Sequence, residues 1–165
     1  MEHDACIALL EKKLSLDKQR AVKLLDAVFA GLVEVLVEKG EVSVKGLGYF
    51  KVVHIPFNRQ KQDNVVRAIP PRKKITFLTR PVVGSTTRHI IGRTTGLVDE
   101  DAEVFSRILS GYFRESMVKK RDLLLEGLGS FTEVDGKFRF VPDQVLHEIV
   151  NNCFEHLSAF EVPIH

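Results

Sequence analysis

Glu41-Val-Ser-Val-Lys-Gly-Leu-Gly-Tyr-Phe50 reads as a short alternating strand, a tight reversal and the start of a second strand. Val42 and Val44 share one face, while Gly46 and Gly48 permit a turn that β-branched residues resist. The pattern returns as Asp122-Leu-Leu-Leu-Glu-Gly-Leu-Gly-Ser-Phe131, 81 positions later. Carried backwards without a gap, that offset lays Ala21–Lys39 over Ala102–Lys120, matching Glu34 with Glu115, Val37 with Val118 and Lys39 with Lys120. Both copies read helix, short strand, Gly-Leu-Gly turn, strand. Solenoid units repeat every ~20–50 residues, so this longer period means two related lobes and not an array.

Upstream of the first turn, Ile7, Leu10 and Leu14 predict a helix over about 4–14. Asp17 is the N-cap expected for a second helix over 18–38, and Gly40 its terminator. Ala21, Leu25, Val28, Leu32 and Val35 form one stripe along that helix, widened by Leu24, Phe29, Val33 and Leu36. So broad an apolar girth calls for burial on two sides, as at a subunit interface.

Downstream, Tyr49–Ile55 predicts a strand, Asn58–Lys74 is basic with few apolar residues, and Ile75–Leu78 is strand-like again. Asp63-Asn64 lies midway between Phe50 and Phe77 and suits a hairpin turn. The expectation is a long β-ribbon projecting from a small sheet, its tip near Gln62–Asn64. Val82–Ile91 is expected to be a short helix and Gly92–Gly96 a linker. The second copy then opens with Asp99 as N-cap of a helix bearing Phe105, Ile108, Leu109, Tyr112, Phe113 and Met117. Its strands turn directly at Val134-Asp-Gly-Lys137 with no basic arm. A last helix opens at Pro142-Asp143, with a stripe running from Val145 to Phe160. The expected units are thus 1–92, with the arm, and 97–165, a degenerate armless copy.

Charge separates the same regions. The chain of 165 residues carries a formal net charge of only +2. Residues 1–50 contribute −1, residues 51–93 contribute +9 with Asp63 as their one acid, and residues 94–165 contribute −6. A block of +9 either solvates a surface or binds a polyanion. With 44% hydrophobic residues the composition is that of a folded chain. No apolar run approaches the ~18 residues of a membrane span. The acidic start lacks the basic and apolar regions of a signal peptide, and two cysteines make no disulfide framework, so a reducing cytoplasm is the expected setting.

Asp26-Ala-Val-Phe29, Lys39-Gly40, Gly46-Leu-Gly-Tyr-Phe50 and Arg67-Ala-Ile-Pro-Pro-Arg-Lys73 with Phe77 together resemble the bacterial HU/IHF family of histone-like proteins over about residues 4–91. The resemblance implies an α+β fold: a helix pair, a small antiparallel sheet and a protruding β-ribbon arm. It also implies a dimer whose two arms follow the minor groove of double-stranded DNA and help bend it, the behaviour for which HU and IHF are standard examples. Binding would be of low sequence specificity and seated in the nucleoid. Family arms usually carry Arg-Asn-Pro near the tip, where the proline wedges between base steps. No proline stands between Pro56 and Pro70, so binding with little kinking is expected.

The residues expected to contact DNA are Arg59, Lys61, Arg67, Arg72, Lys73 and Lys74 on the ribbon, with Arg80, Arg88 and Arg93 beside it. Each Gly-Leu-Gly precedes a strand and lacks the rest of a phosphate-loop motif, so both read as turns. His3-x-x-Cys6 and Cys153-x-x-His156 have metal-ligand spacing, but Cys153 lies on an apolar stripe and the core reading outweighs zinc; no metal or other cofactor is expected. Ser85, Thr86, Thr87 and His89 lack an orienting group and an oxyanion site, so no enzyme is expected. The second copy is expected either to fold against the first as an intrachain pseudo-dimer or to ride on a homodimer, and its acidity to compete with DNA for the arm. The rival reading is a protein-interaction scaffold that kept the fold.

Overall fold

The computed structural model describes residues 3–152 and 160–163. Helix α1 (Asp4–Leu14) leads through Ser15 to α2 (Lys18–Lys39). The Asp17 carboxylate accepts from the Arg20 N–H at 2.7 Å, and Gly40 closes α2 at φ 78°, as expected of both. Strands β1 (Glu41–Val44), β2 (Gly48–Ile55) and β5 (Arg72–Leu78) form an antiparallel sheet in the order β1-β2-β5. Between β2 and β5 the chain makes the hairpin β3 (Asn58–Gln62) and β4 (Val65–Ile69). Helices α3 (Thr86–Thr95) and α4 (Asp99–Val118) follow, then a second antiparallel sheet of β6 (Leu123–Leu125), β7 (Gly129–Val134) and β8 (Lys137–Pro142). Helix α5 (Gln144–Val150) and strand β9 (Phe160–Pro163) complete the described chain. The mixed helices and small antiparallel sheets fit an HU-like fold.

Four expectations are corrected. Residues 92–95 are helical, not linker: α3 runs to Thr95 because Ile90 and Ile91 are buried, and packing outweighs the cost of Gly92. Val98, not Asp99, is the N-cap of α4. Residues 82–85 precede α3 and are not part of it. The last helix stops at Val150 with only Leu146 and Val150 buried, while Val145 and Ile149 are exposed and Phe160 belongs to a strand. Cys153, Phe154 and Leu157 of the expected stripe lie outside the described residues.

With α3 placed, the 81-residue offset extends further than the sequence comparison carried it. It relates α1 to α3, α2 to α4, β1 to β6 and β2 to β7. Ser15 and Gly96, both left-handed at φ 53° and 70°, occupy equivalent helix ends. The two sets pack reciprocally: α1 lies on α4 and α3 lies on α2. Gly31 on α2 permits the second approach, since a Cβ there would stand 2.5 Å from the Thr94 methyl. The turns exchange likewise, Gly46 lying on the backbone of Ser110 in α4 and Gly127 beside Val33 in α2. Such i-to-j and j-to-i contacts are the mark of a two-fold interface.

One continuous core results. Leu25, Val28, Phe29, Leu32 and Leu36 of α2 join Phe105, Leu109 and Phe113 of α4, with Phe29 and Phe113 stacked at 6.4 Å. Under the sheets Phe50 and Phe77 meet Phe131 and Phe140 at centroid distances of 4.8–6.2 Å. The doubly buried girth expected of α2 is filled within the chain.

Candidate nucleic-acid interface

The arm begins where β2 and β5 leave the body. Their register runs from Tyr49 opposite Leu78 to Ile55 opposite Arg72. Pro56, Pro70 and Pro71 then interrupt the ladder, because proline offers no N–H. Pairing resumes with Asn58 opposite Ile69 and ends with Gln62 opposite Val65. Asp63, at φ 56°, and Asn64 make the tip, as the midpoint of the sequence predicted.

Six of the nine expected contact residues lie on this ribbon. Arg59 and Lys61 share one face of β3 and β4, and Arg67 takes the other with Gln60. Arg72 and Lys74 are exposed on one face of β5, whereas Lys73 points with Ile75 and Phe77 to the opposite, core side. Lys73 there lines a pocket of about 420 Å³ with His54, Val52, Ile149 and Val150. The consecutive basic triplet is therefore split between two faces. Among the described residues no ion pair engages any of these six cations. Arg59 lies 5.8 Å over the Phe57 ring, a contact that orients the guanidinium without cancelling its charge.

The other three are on the body. Arg80 lies 4.7 Å over Tyr49 and, with Lys45 and Arg114, lines a pocket of about 390 Å³. Arg88 and Arg93 sit on α3 and are committed to acids, Arg88 to Glu103 at 3.1 Å and Asp99 at 3.6 Å, Arg93 to Glu34 at 3.5 Å. Sequence reading missed Arg139. It projects from β8 into a cleft of about 340 Å³ shared with Lys74, Thr76 and Phe77 of β5. The signal was present, since Arg139 alternates with the inward Phe138 and Phe140, but it was hidden by the acidity of the second copy as a whole.

Of the four residues with metal-ligand spacing, only His3 and Cys6 are among those described. Cys153 and His156 lie outside the described residues, and no group of three metal-binding side chains occurs within them. His3 contacts the Tyr112 hydroxyl through Nδ1 at 2.6 Å. Cys6 is wholly buried, and burial pushes its thiol up to about 12. No helix among the described residues is long and apolar enough to cross a membrane.

The ribbon is not bare. Strand β9 pairs antiparallel with the outer edge of β4, Pro163 opposite Val65 through Phe160 opposite Ala68. At the base, the Lys73 N–H donates to Asn151 Oδ1 at 2.7 Å and Asn151 Nδ2 donates to the Lys73 carbonyl at 2.9 Å. The Asn151 amide thus takes the place of a strand on the free edge of β5.

No curated protein matches the chain. Residues 1–81 match the family model of the bacterial DNA-binding protein, a stretch that takes in α1, α2, the first sheet and the whole arm.

Proposed function

We propose that the protein is an architectural, non-sequence-specific binder of double-stranded DNA, which enters the minor groove with its single basic arm. The observation that carries this is a projecting ribbon whose segment from Asn58 to Lys74 holds six cations and one acid, without an ion pair among the described residues, inside the stretch that matches the family. Phosphate neutralisation supplies most of the affinity of such a surface and makes it fall steeply with salt. The tip carries Asp63-Asn64 and no proline, so no wedge enters the base stack and the duplex bends little. A nucleoid location, stoichiometric binding and the lack of a catalytic role follow from this reading.

The reciprocal packing of the two 81-residue sets supports a further part of the proposal. The chain is its own pseudo-dimer, a second, degenerate HU-like unit serving as the partner that family members obtain from another copy. One chain then offers one arm, since the equivalent hairpin turns at Asp135-Gly136 with φ 53° and 78° and goes no further. The rival scaffold reading has one observation in its favour, the acceptance of a strand by the edge of β4.

The test is a salt titration of duplex affinity for the natural protein and for Arg59→Ala/Lys61→Ala/Arg67→Ala. Each lost phosphate contact should flatten the slope of log K against log salt by about 0.9. A scaffold would show no binding, or binding indifferent to the three substitutions.

A further inference from the structure

We propose that strand β9 is a displaceable strap, which closes the edge of the arm and has to leave before the arm enters a groove of DNA; this rests on the DNA-binding reading above. Two separate contacts close one edge of the arm. Asn151 holds both backbone groups of Lys73 at the base, and β9 holds β4 from Ala68 to Val65, next to the tip. The covered edge is thus the one that runs from β5 out along β4.

Width makes strap and DNA mutually exclusive. A minor groove is about 6 Å wide in undeformed duplex. Neighbouring strands are about 4.8 Å apart, so the third strand adds nearly a groove's width to a two-stranded ribbon. The added strand also brings the wrong sign. Residues 141–165 contain Asp143, Glu148, Glu155 and Glu161 and no lysine or arginine, and Glu161 stands opposite Arg67 in the register. Strand β9 therefore fills the hydrogen-bonding edge of β4 within a stretch of sequence whose charge is opposite to that of the arm. It is also short. Four paired residues, of whose β4 partners only Ala68 is buried, open at little cost, so that DNA can displace them. The acidity of the second copy, expected from sequence to compete as a whole lobe, is here given a specific strand.

The experiment uses the full chain with Cys6→Ser and Cys153→Ser, to which Val66→Cys and Val162→Cys are added. These two positions face each other in the register, and opposed Cα atoms of an antiparallel pair, about 4.5–5.5 Å apart, are within reach of a disulfide. A second variant, Glu161→Pro/Val162→Pro, removes whichever of the two N–H groups faces β4. A third, Arg59→Glu/Lys61→Glu/Arg67→Glu, reports on the arm itself. Affinity for a labelled duplex is read at low salt. The oxidised pair should bind at least about tenfold more weakly than the same protein reduced, as a closed fraction lowers apparent affinity in proportion. The proline variant should bind several-fold more tightly than the natural chain, and the charge reversal should abolish binding in every background. Equal binding of oxidised and reduced protein, or weaker binding by the proline variant, overturns the strap and leaves the DNA reading standing. Failure of the disulfide to form under oxidation overturns the pairing on which the strap depends. Absence of binding by every form overturns the DNA reading, and the strap as its gate with it.

Discussion

Phe50 and Phe131, 81 positions apart in the chain, meet edge to face with ring centroids 6.2 Å apart. They correspond under the 81-residue offset, each is wholly or almost wholly buried, and each also touches Phe140. A contact between equivalent positions lies where a two-fold axis would pass. Here it joins two halves of one polypeptide.

The first expectation is cooperative unfolding. Phe131→Ala removes a ring shared by both halves and should cost about 3–5 kcal/mol. Urea unfolding followed by far-ultraviolet circular dichroism should show one transition in both proteins, moved to lower urea in the variant. Two transitions, with only one of them moved, would mean that the halves fold as separate domains.

A second expectation concerns the turn between β1 and β2. Gly46 has φ 94°, and a Cβ there would stand 2.4 Å from the Ser110 carbonyl oxygen of α4. Gly84 has a similar φ of 104° but open space around it. Gly84→Ala should therefore cost only the strain of the left-handed backbone, about 1–2 kcal/mol. Gly46→Ala adds a backbone collision across the two halves and should exceed about 3 kcal/mol. Equal costs would show that the turn does not bear on α4.

Much of this was legible in the sequence, for identifiable reasons. The Gly-Leu-Gly turns, the Asp17 cap and the Asp63-Asn64 tip are local matters, decided by residues that tolerate the required backbone. Helix α3 was blurred because Gly92 and four threonines are poor helix formers, and what holds it is burial of Ile90 and Ile91 against α2. Pairing of β9 with β4 joins segments about a hundred residues apart, and no local pattern signals it. At the candidate site the ribbon cations were visible as charge. The split of Arg72 and Lys74 from Lys73 follows from the register, and the commitment of Arg88 to Glu103 depends on how α3 meets α4.

That split gives a third expectation. Arg72→Glu/Lys74→Glu should weaken duplex binding more than about tenfold, since two exposed cations are reversed on one face. Lys73→Glu should remain within about threefold, and Arg88→Ala likewise, because its exposed ion pairs are worth about 0–1 kcal/mol to the fold. Anisotropy of a labelled duplex measures all three. A Lys73→Glu effect as large as that of the double variant would reject the assignment of faces.

Cys6 supplies a fourth. Its thiol is held protonated by burial, raised from 9.0 to about 12, so the folded protein retains a proton that the unfolded chain loses. Stability is therefore full below pH 9.0 and declines as pH rises from there towards 12, by up to about 1.4 kcal/mol per pH unit. In a Cys153→Ser background, Cys6 should resist alkylation until urea unfolds the protein. Cys6→Ala should flatten the alkaline decline. Rapid alkylation of the native protein would contradict the burial.

The most direct measurement is the mass of the protein, free and bound, by analytical ultracentrifugation with a duplex of about one and a half helical turns, ~15 bp. A chain that is its own pseudo-dimer with one arm should sediment free as a species of 18.6 kDa and bind such a duplex one to one at low salt. A free dimer, or two chains arriving together on each duplex, would contradict the single-chain account. No complex at low salt would contradict DNA binding itself.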